Sequence, residues 1–431
     1  MNPVYILIAI LLAIDNIFIN FKVGGISYDR LLEFLLFFYF FKSYLAEIHE
    51  NPFFKKWNIF LLLFAIVQLL INFKLAIVGK IEFDVIYIEF IKCFSFLAFS
   101  FLFILIAKKD IRYVNIIVGI HFLICIFAFL QHPMSPIAAQ MLEIKRFLYS
   151  AVQEGSVLNK LEGEEAYISG GFGDRFRLAG PYASTISFSY FAITSFIINF
   201  YLYLKFRKRL NLFFLGTLFV ASILSQTRSL LLAEIFLVFG FYFIAPLKQH
   251  GLYKLVLIIG AFFAVLLVNV SKDILASGDS RITNVDSGGE SDSRPLLWIT
   301  GIYAVMNYPL GITEQDYMEV KMHMVREFGN SDVLYLSAHN GLINMGFHYS
   351  FLGYILIFFM VLFLLKHINF LEPKNKVFFK MALFAYLIQS SFHNNFILNA
   401  DYPFLMVLML ISVEWYHQNN LQENTEELSV E

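Results

Sequence analysis

Charge is what this sequence has least of. Only 15% of its 431 residues are Asp, Glu, Lys or Arg, against 59% hydrophobic and 18% aromatic, and the mean hydropathy is +0.68. A soluble globular domain carries ~25% charged residues, so that class is excluded and the chain reads as an integral membrane protein. The net charge is -1 and the lysines are dispersed. That leaves no basic patch to track a phosphate backbone, and nucleic acid is excluded as a partner. There are 2 cysteines, Cys93 and Cys125, each inside an apolar run, so no disulfide framework is implied. The sequence has no Asp-x-Asp pair, no His/Cys cluster of metal-ligating spacing and no internal repeat. Neither metal nor cofactor is expected. The first apolar run lacks a basic leader and an Ala-x-Ala site and reads as an uncleaved span.

What the sequence has in quantity is apolar runs, the longer of them about 17 to 25 residues and able to cross ~30 Å of hydrocarbon as a helix. A barrel would show short alternating segments instead, so the fold class is all-α. The runs cover 4–21, 31–45, 57–73, 83–107 and 114–130. After a polar gap come 182–204, 212–224, 229–244, 255–270, 341–365, 377–397 and 402–415. The reading is a polytopic protein of roughly twelve spans. Lys and Arg gather in alternate connections: Lys42, Lys55 and Lys56; Lys108, Lys109 and Arg112; Lys205, Arg207, Lys208 and Arg209; Lys248 and Lys254; Lys366, Lys374, Lys376 and Lys380. By the positive-inside rule these connections and both termini are cytoplasmic. Residues 1–417 form one transmembrane domain, and the polar tail 418–431 reads as disordered. Two long loops, 131–181 and 271–338, occupy the opposite, external face.

On that face every even-numbered span begins, presenting free N–H groups and the positive end of its dipole. Arg228 starts the eighth span, Arg177 precedes the sixth, and Arg294 lies in the second loop. Guanidinium groups bind phosphate bidentately and stay charged, so three of them suit a diphosphate. His339 begins the tenth span, where the dipole disfavours imidazolium and favours a ring that accepts a proton. Asp292, Glu290 and Glu327 are acidic alternatives for the base. Within the second loop, Ser293-Arg294-Pro295 reads as the start of an amphipathic helix capped by Ser293 and stopped at Asn307-Tyr308-Pro309, with 276–292 as a flexible lid. Tyr182 and Tyr335 are placed to stack on sugar rings. Structural roles stand beside these: Arg175, Arg177 and Lys272 also read as headgroup anchors, and His339 as a helix cap. Glu89 and Lys92 read as a self-satisfying pair. Asp15, His121, Glu234 and Gln389 are intramembrane polar groups with no assigned role.

His339-Asn340 is followed, after nine residues, by Ser350-Phe-Leu-Gly353. This resembles the C-terminal signature of bacterial O-antigen polymerases and O-antigen ligases, His-Asn then Gly-x-x-Gly, with Ser350 in place of the first glycine. Further segments are similar to the same family: Arg177-Leu-Ala-Gly180, Ser225-Gln-Thr-Arg228-Ser229, and Arg294 with Trp298 and Pro309-Leu-Gly311. The Pro-Asn pair that often follows the first segment is absent. The resemblance implies an inverting, metal-independent glycosyltransferase acting at the periplasmic face on undecaprenyl-diphosphate-linked oligosaccharide. By position it implies that Arg228 and Arg294 hold the diphosphate and that His339, beside Asn340, acts on the acceptor. The expected activity is repeat-unit polymerisation, with membrane lipid and a chain-length regulator as further partners. A ligase that transfers the glycan to lipid A core, and a transporter of lipid-linked sugars, are the alternatives.

Overall fold

The computed structural model describes the chain apart from residues 1, 16, 19–20, 24–25, 83, 133, 151–176, 183, 246–289, 336–337, 394–395, 399–400 and 431. For 22–23, 84–85, 87, 146, 149–150, 290–294, 332, 335 and 421–430 it describes the backbone alone. In chain order the helices are α1 (Pro3–Ala13), α2 (Tyr28–Tyr39), α3 (Phe41–Glu50), α4 (Pro52–Ile77), α5 (Asp84–Lys109), α6 (Arg112–Leu130), α7 (Ala138–Ser150) and α8 (Thr185–Phe206). There follow α9 (Arg209–Leu224), α10 (Arg228–Ile244), α11 (Glu290–Asn307), α12 (Glu314–Phe328), α13 (Asp332–Tyr335), α14 (Gly341–Phe370), α15 (Pro373–Ser390) and α16 (Pro403–Val430). The only sheet among the described residues is an antiparallel hairpin, β1 (Lys22–Val23) with β2 (Ile26–Ser27). Among the described residues the fold is all-helical, and 5 stretches are long and apolar enough to cross a membrane: Pro52–Ile77, Ile88–Lys109, Arg112–Leu130, Thr185–Phe206 and Gly341–Phe370. Large apolar side chains point outward along them, among them Leu62, Leu70, Leu123, Phe358 and Phe359. Such faces suit lipid rather than water.

The chain divides into two compact units, each described by itself. The first comprises Met1–Glu33, Leu105–Ser287 and Glu372–Gln389. At its centre is α8, capped by the Ser184 hydroxyl on the Ser187 N–H at 3.1 Å and buried along almost its whole length. It packs against α6, α9 and α10. Lys374 at the start of α15 donates to the Leu204 carbonyl at 2.8 Å, and Gln389 at its end donates to Ser189 at 2.6 Å, so α15 runs antiparallel to α8.

The second unit comprises Phe34–Ile104, Gly288–Leu371 and Ser390–Glu431. Here α4 and α14 pack antiparallel: Phe53 and Phe60 meet Phe363 at 4.9 and 5.4 Å, and Phe64 meets Tyr349 at 5.1 Å. The first half of α16 is buried throughout and bonds back through Ser412 to Asn51, the residue that caps α4. Above the start of α14 sits a small helical cap with its own core of Leu297, Ala304, Val320, Met324 and Val333, against which Phe347 of α14 packs. The end of α4 tethers this cap. Lys74 Nζ donates to the Leu310 carbonyl at 3.3 Å, and Lys80 forms a 2.5 Å ion pair with Asp316.

Inside α14 the helix is broken at Ser350, which has φ 59 and ψ -166. That backbone region is essentially restricted to glycine and costs a residue with a side chain ~1–3 kcal/mol. Ser350 therefore holds a backbone conformation that glycine adopts without that cost. The break frees the Phe351 N–H, which donates to the Pro309 carbonyl at 3.2 Å. It also brings residue 353 down on Tyr349, where a Cβ on Gly353 would meet the Tyr349 Cβ at 2.4 Å. Only glycine fits there without a shift.

Several sequence expectations are corrected. The first apolar run does not form one span to residue 21, because α1 ends at Ala13. Asp15 is buried in an ion pair with Arg30, which also holds Glu33 at 2.8 Å, and the chain must turn back to make that pair. The second run is split at Phe40 between α2 and α3. Ser293 does not cap α11, which begins at Glu290 and carries Pro295 inside it. The second loop holds α12 as well, started by a reciprocal capping box between Thr313 and Asp316 and closed by Gly329 at φ 71. The lid expected over 276–292 lies outside the described residues except for its last three, which open α11, and the span expected over 255–270 lies outside them altogether. The tail is helical, since α16 runs on to Val430 with no Gly or Pro to stop it. The Glu89–Lys92 pair is present at 3.7 Å, with Gln68 donating to Glu89 at 2.6 Å.

Two outcomes follow. Replacing Ser350 by Gly should stabilise the protein by about 1 kcal/mol, strain relief net of the extra unfolded-state freedom of glycine. A lower melting temperature in detergent would contradict the glycine-like backbone. The second concerns the tether. Burial acts to raise the Asp316 carboxyl, but hydrogen bonds from Lys80 and Thr313 outweigh it and hold the group below its ordinary 3.8. The hydrogen bond to Asp316 holds Lys80 above its ordinary 10.5. The contribution of Asp316 is thus present above 3.8 and lost as pH falls through its lowered folded value, whereas that of Lys80 is present below 10.5 and lost as pH rises past it. The protection of α12 amides relative to their intrinsic exchange rates should therefore fall in acid. Lys80→Gln should show faster exchange at neutral pH with the capping box intact.

Candidate functional site

In the first unit the candidate residues meet at the turn from α9 to α10. Ser225 ends α9 and folds its hydroxyl back on the Ser222 carbonyl at 2.8 Å. Gln226 takes φ 53, a left-handed conformation that reverses the chain. Thr227 is the N-cap of α10, and Arg228 is its first residue, exposed where N–H groups lack intrahelical acceptors. Arg177 lies beneath this turn, 8% exposed. Its Nε donates to the Ser225 carbonyl at 3.3 Å and an Nη to the Thr227 hydroxyl at 3.5 Å, while the Leu178 N–H donates to the Leu224 carbonyl at 3.1 Å. The guanidinium thus sits on the Ser225 carbonyl at the negative end of α9, where a cation is favoured. Two segments 48 residues apart are joined here. Arg177 braces the turn, and Arg228 is the arginine presented outward.

In the second unit the candidates cluster at the start of α14. Asn340 is the N-cap: its Oδ1 accepts from the Leu342 and Ile343 N–H groups at 3.0 and 3.2 Å, and its Nδ2 donates to the Ser391 carbonyl at 3.2 Å. His339 precedes the cap with φ 44 and is partly exposed. The structure gives the capping role expected as an alternative for His339 to its neighbour. The helix carrying Arg294 packs directly on this corner, because a Cβ on Gly301 of α11 would come within 2.6 Å of Ile343 and 3.1 Å of Ala338. Arg294 is two turns before Gly301, ~10 Å along the helix. Its side chain, and those of Glu290, Asp292 and Tyr335, lie outside the described residues. Glu327 is exposed on α12. Tyr182 is not placed to stack on a sugar: it is 2% exposed and packs on Phe191 at 5.0 Å and Phe188 at 6.3 Å.

The intramembrane polar groups are absorbed by the bundle. His121 meets the Ser195 hydroxyl at 2.9 Å, Glu234 accepts from Ser222 at 2.7 Å, and Gln389 reaches Ser189. Among the described residues no group of three or more His, Cys, Asp or Glu is placed to hold a metal. The residue that sequence reasoning missed is the pivot Ser350, whose only signal was its place in the spacing after His339-Asn340. Compared with protein-family models, with curated proteins and with solved structures, the chain matches none of them.

Asn340→Ala removes both cap bonds and should cost about 1 kcal/mol. A drop in melting temperature, with amide exchange faster at 342–343 than elsewhere in α14, is the expected readout.

Proposed function

We propose that this protein is a multi-pass enzyme of the bacterial inner membrane that polymerises undecaprenyl-diphosphate-linked repeat units of a surface polysaccharide. In this reading it has roughly twelve spans, cytoplasmic termini and a periplasmic catalytic face. The observation that carries it is the corner at the start of α14. Asn340 takes the cap, His339 stands partly exposed beside it, and Ser350 holds a glycine backbone at the spacing of the O-antigen polymerase and ligase signature.

The reaction is one displacement at the anomeric carbon of the donor glycan. The acceptor hydroxyl oxygen bonds to that carbon, the bond to the diphosphate oxygen breaks, and its electron pair leaves with undecaprenyl diphosphate, so the configuration inverts. His339 takes the hydroxyl proton, a contribution of roughly 10²- to 10⁴-fold. Arg228, on the first turn of its own helix, and Arg294 are assigned to the charge that develops on the departing diphosphate. Arg177 acts through the turn that presents Arg228 and is a positioning residue.

Deleting the gene and resolving the surface glycan on a gel tests the reading. Core carrying a single repeat unit is the expected result. Long polymer stranded on the lipid carrier would instead identify a ligase, and an unchanged glycan would remove both and leave a transporter. Complementation with Arg228→Ala, Arg294→Ala or His339→Ala, in protein that inserts normally, should leave the single-unit pattern. Arg228→Lys should also be impaired, since a point charge lacks the bidentate fork.

A further inference from the structure

At the end of α4 and α14 remote from His339, Lys56, Ile59 and Phe60 face Leu362, Phe363, Lys366 and His367 across a groove of about 400 Å³. This is within the ~300–1,000 Å³ range of small-molecule sites. Its walls are apolar, and the two ammonium groups belong to exposed residues. No carboxylate lines it, and neither lysine forms an ion pair among the described residues. His367 is held in place rather than presented. Its Nδ1 donates to the Phe363 carbonyl at 2.8 Å, and its ring lies 5.0 Å from Phe53 and 5.5 Å from Trp415. The outer walls are exposed hydrocarbon, with Ile59 at 48% and Leu362 at 47%.

A lone lysine at a helix end snorkels to the headgroups and selects nothing. Two lysines from antiparallel helices, converging over one apolar slot with no acid between them, ask for a ligand with a negative head and a hydrocarbon body. We propose that this groove is a binding site for one anionic phospholipid, its phosphate between Lys56 and Lys366 and an acyl chain along Ile59, Phe60, Leu362 and Phe363. Ammonium groups pair with phosphate as point charges, so the head is recognised by charge and the chain by the slot. The site lies at the membrane surface opposite the candidate catalytic corner and does not rest on the glycosyl-transfer reading.

Trp57 follows Lys56 in sequence and Trp415 abuts His367, so intrinsic fluorescence reports occupancy. Protein in phosphatidylcholine nanodiscs is titrated with acyl-chain-brominated phosphatidylglycerol or with the same brominated chains on phosphatidylcholine. Half-maximal quenching is expected at a roughly tenfold lower fraction of the anionic lipid. The preference should disappear in Lys56→Gln/Lys366→Gln and persist in Lys55→Gln, whose lysine is equally exposed but does not line the groove. Each single substitution should give an intermediate preference, which decides the matter if the double variant does not assemble. Equal quenching by both lipids overturns the proposal, as does an unchanged preference in the double variant. Loss of the preference on adding inorganic phosphate at a concentration equal to the lipid phosphate also overturns it, because the groove would then be a plain anion site.

Discussion

The hydrogen bond from the Phe351 N–H to the Pro309 carbonyl is the join on which the second unit depends. A continuous helix would spend that N–H on the carbonyl of residue 347. The break at Ser350 releases it, and the freed donor fixes the chain between α11 and α12 to the side of α14. With that point fixed, the cap closes over the start of the helix, Phe347 enters its core, and Gly301 comes down on Ile343 and Ala338. Lys74 and Lys80 clamp the same segment from the other side. The strain at Ser350, ~1–3 kcal/mol, is offset by contacts that exist only because the helix is broken.

The two units solve the same problem in different ways. Both must present a polar residue at a helix start in a chain that is mostly hydrocarbon. The first does so with a buried cation: Arg177 takes up the Ser225 carbonyl at the end of α9, and the turn it steadies delivers Arg228 at the head of α10. The second does so with a neutral amide, Asn340, which satisfies two N–H groups of α14 and ties the corner to Ser391. In each case one side chain is used for structure while the adjacent or overlying one is left at the surface. Division of labour between neighbours is thus a recurring device here.

How much of this was legible in the sequence depends on the kind of interaction involved. Helices set by long apolar runs were read closely: the runs at 57–73, 114–130 and 341–365 lie inside α4, α6 and α14. Arg228 was placed correctly because a helix start after Ser-Gln-Thr is a local feature. The end of α1 was not legible, since it depends on Asp15 finding Arg30 fifteen residues later. Arg177 was read by type as a phosphate ligand, and nothing local tells that its partners include the Ser225 carbonyl 48 residues away and the Thr227 hydroxyl. The start of α12 was overlooked although Thr313-x-x-Asp316 is a local capping pattern, because the segment is polar and was taken whole as a loop. Ser350 was noted only as standing in place of a glycine in the spacing, and its residue type gave no sign of the backbone it adopts.

The broken residue also sets a depth. From Phe351 to Phe370, α14 is a helix of twenty residues, ~30 Å long at 1.5 Å per residue, which by itself equals the hydrocarbon thickness of a bilayer. The nine residues before the break are therefore surplus to the crossing and form a mast ~13 Å tall. If Phe351–Phe370 alone crossed the lipid, the break would lie at the edge of the hydrocarbon and the nine residues before it would carry His339 and Asn340 beyond the acyl chains. In that crossing, a backbone conformation at one serine would determine which solvent the histidine meets.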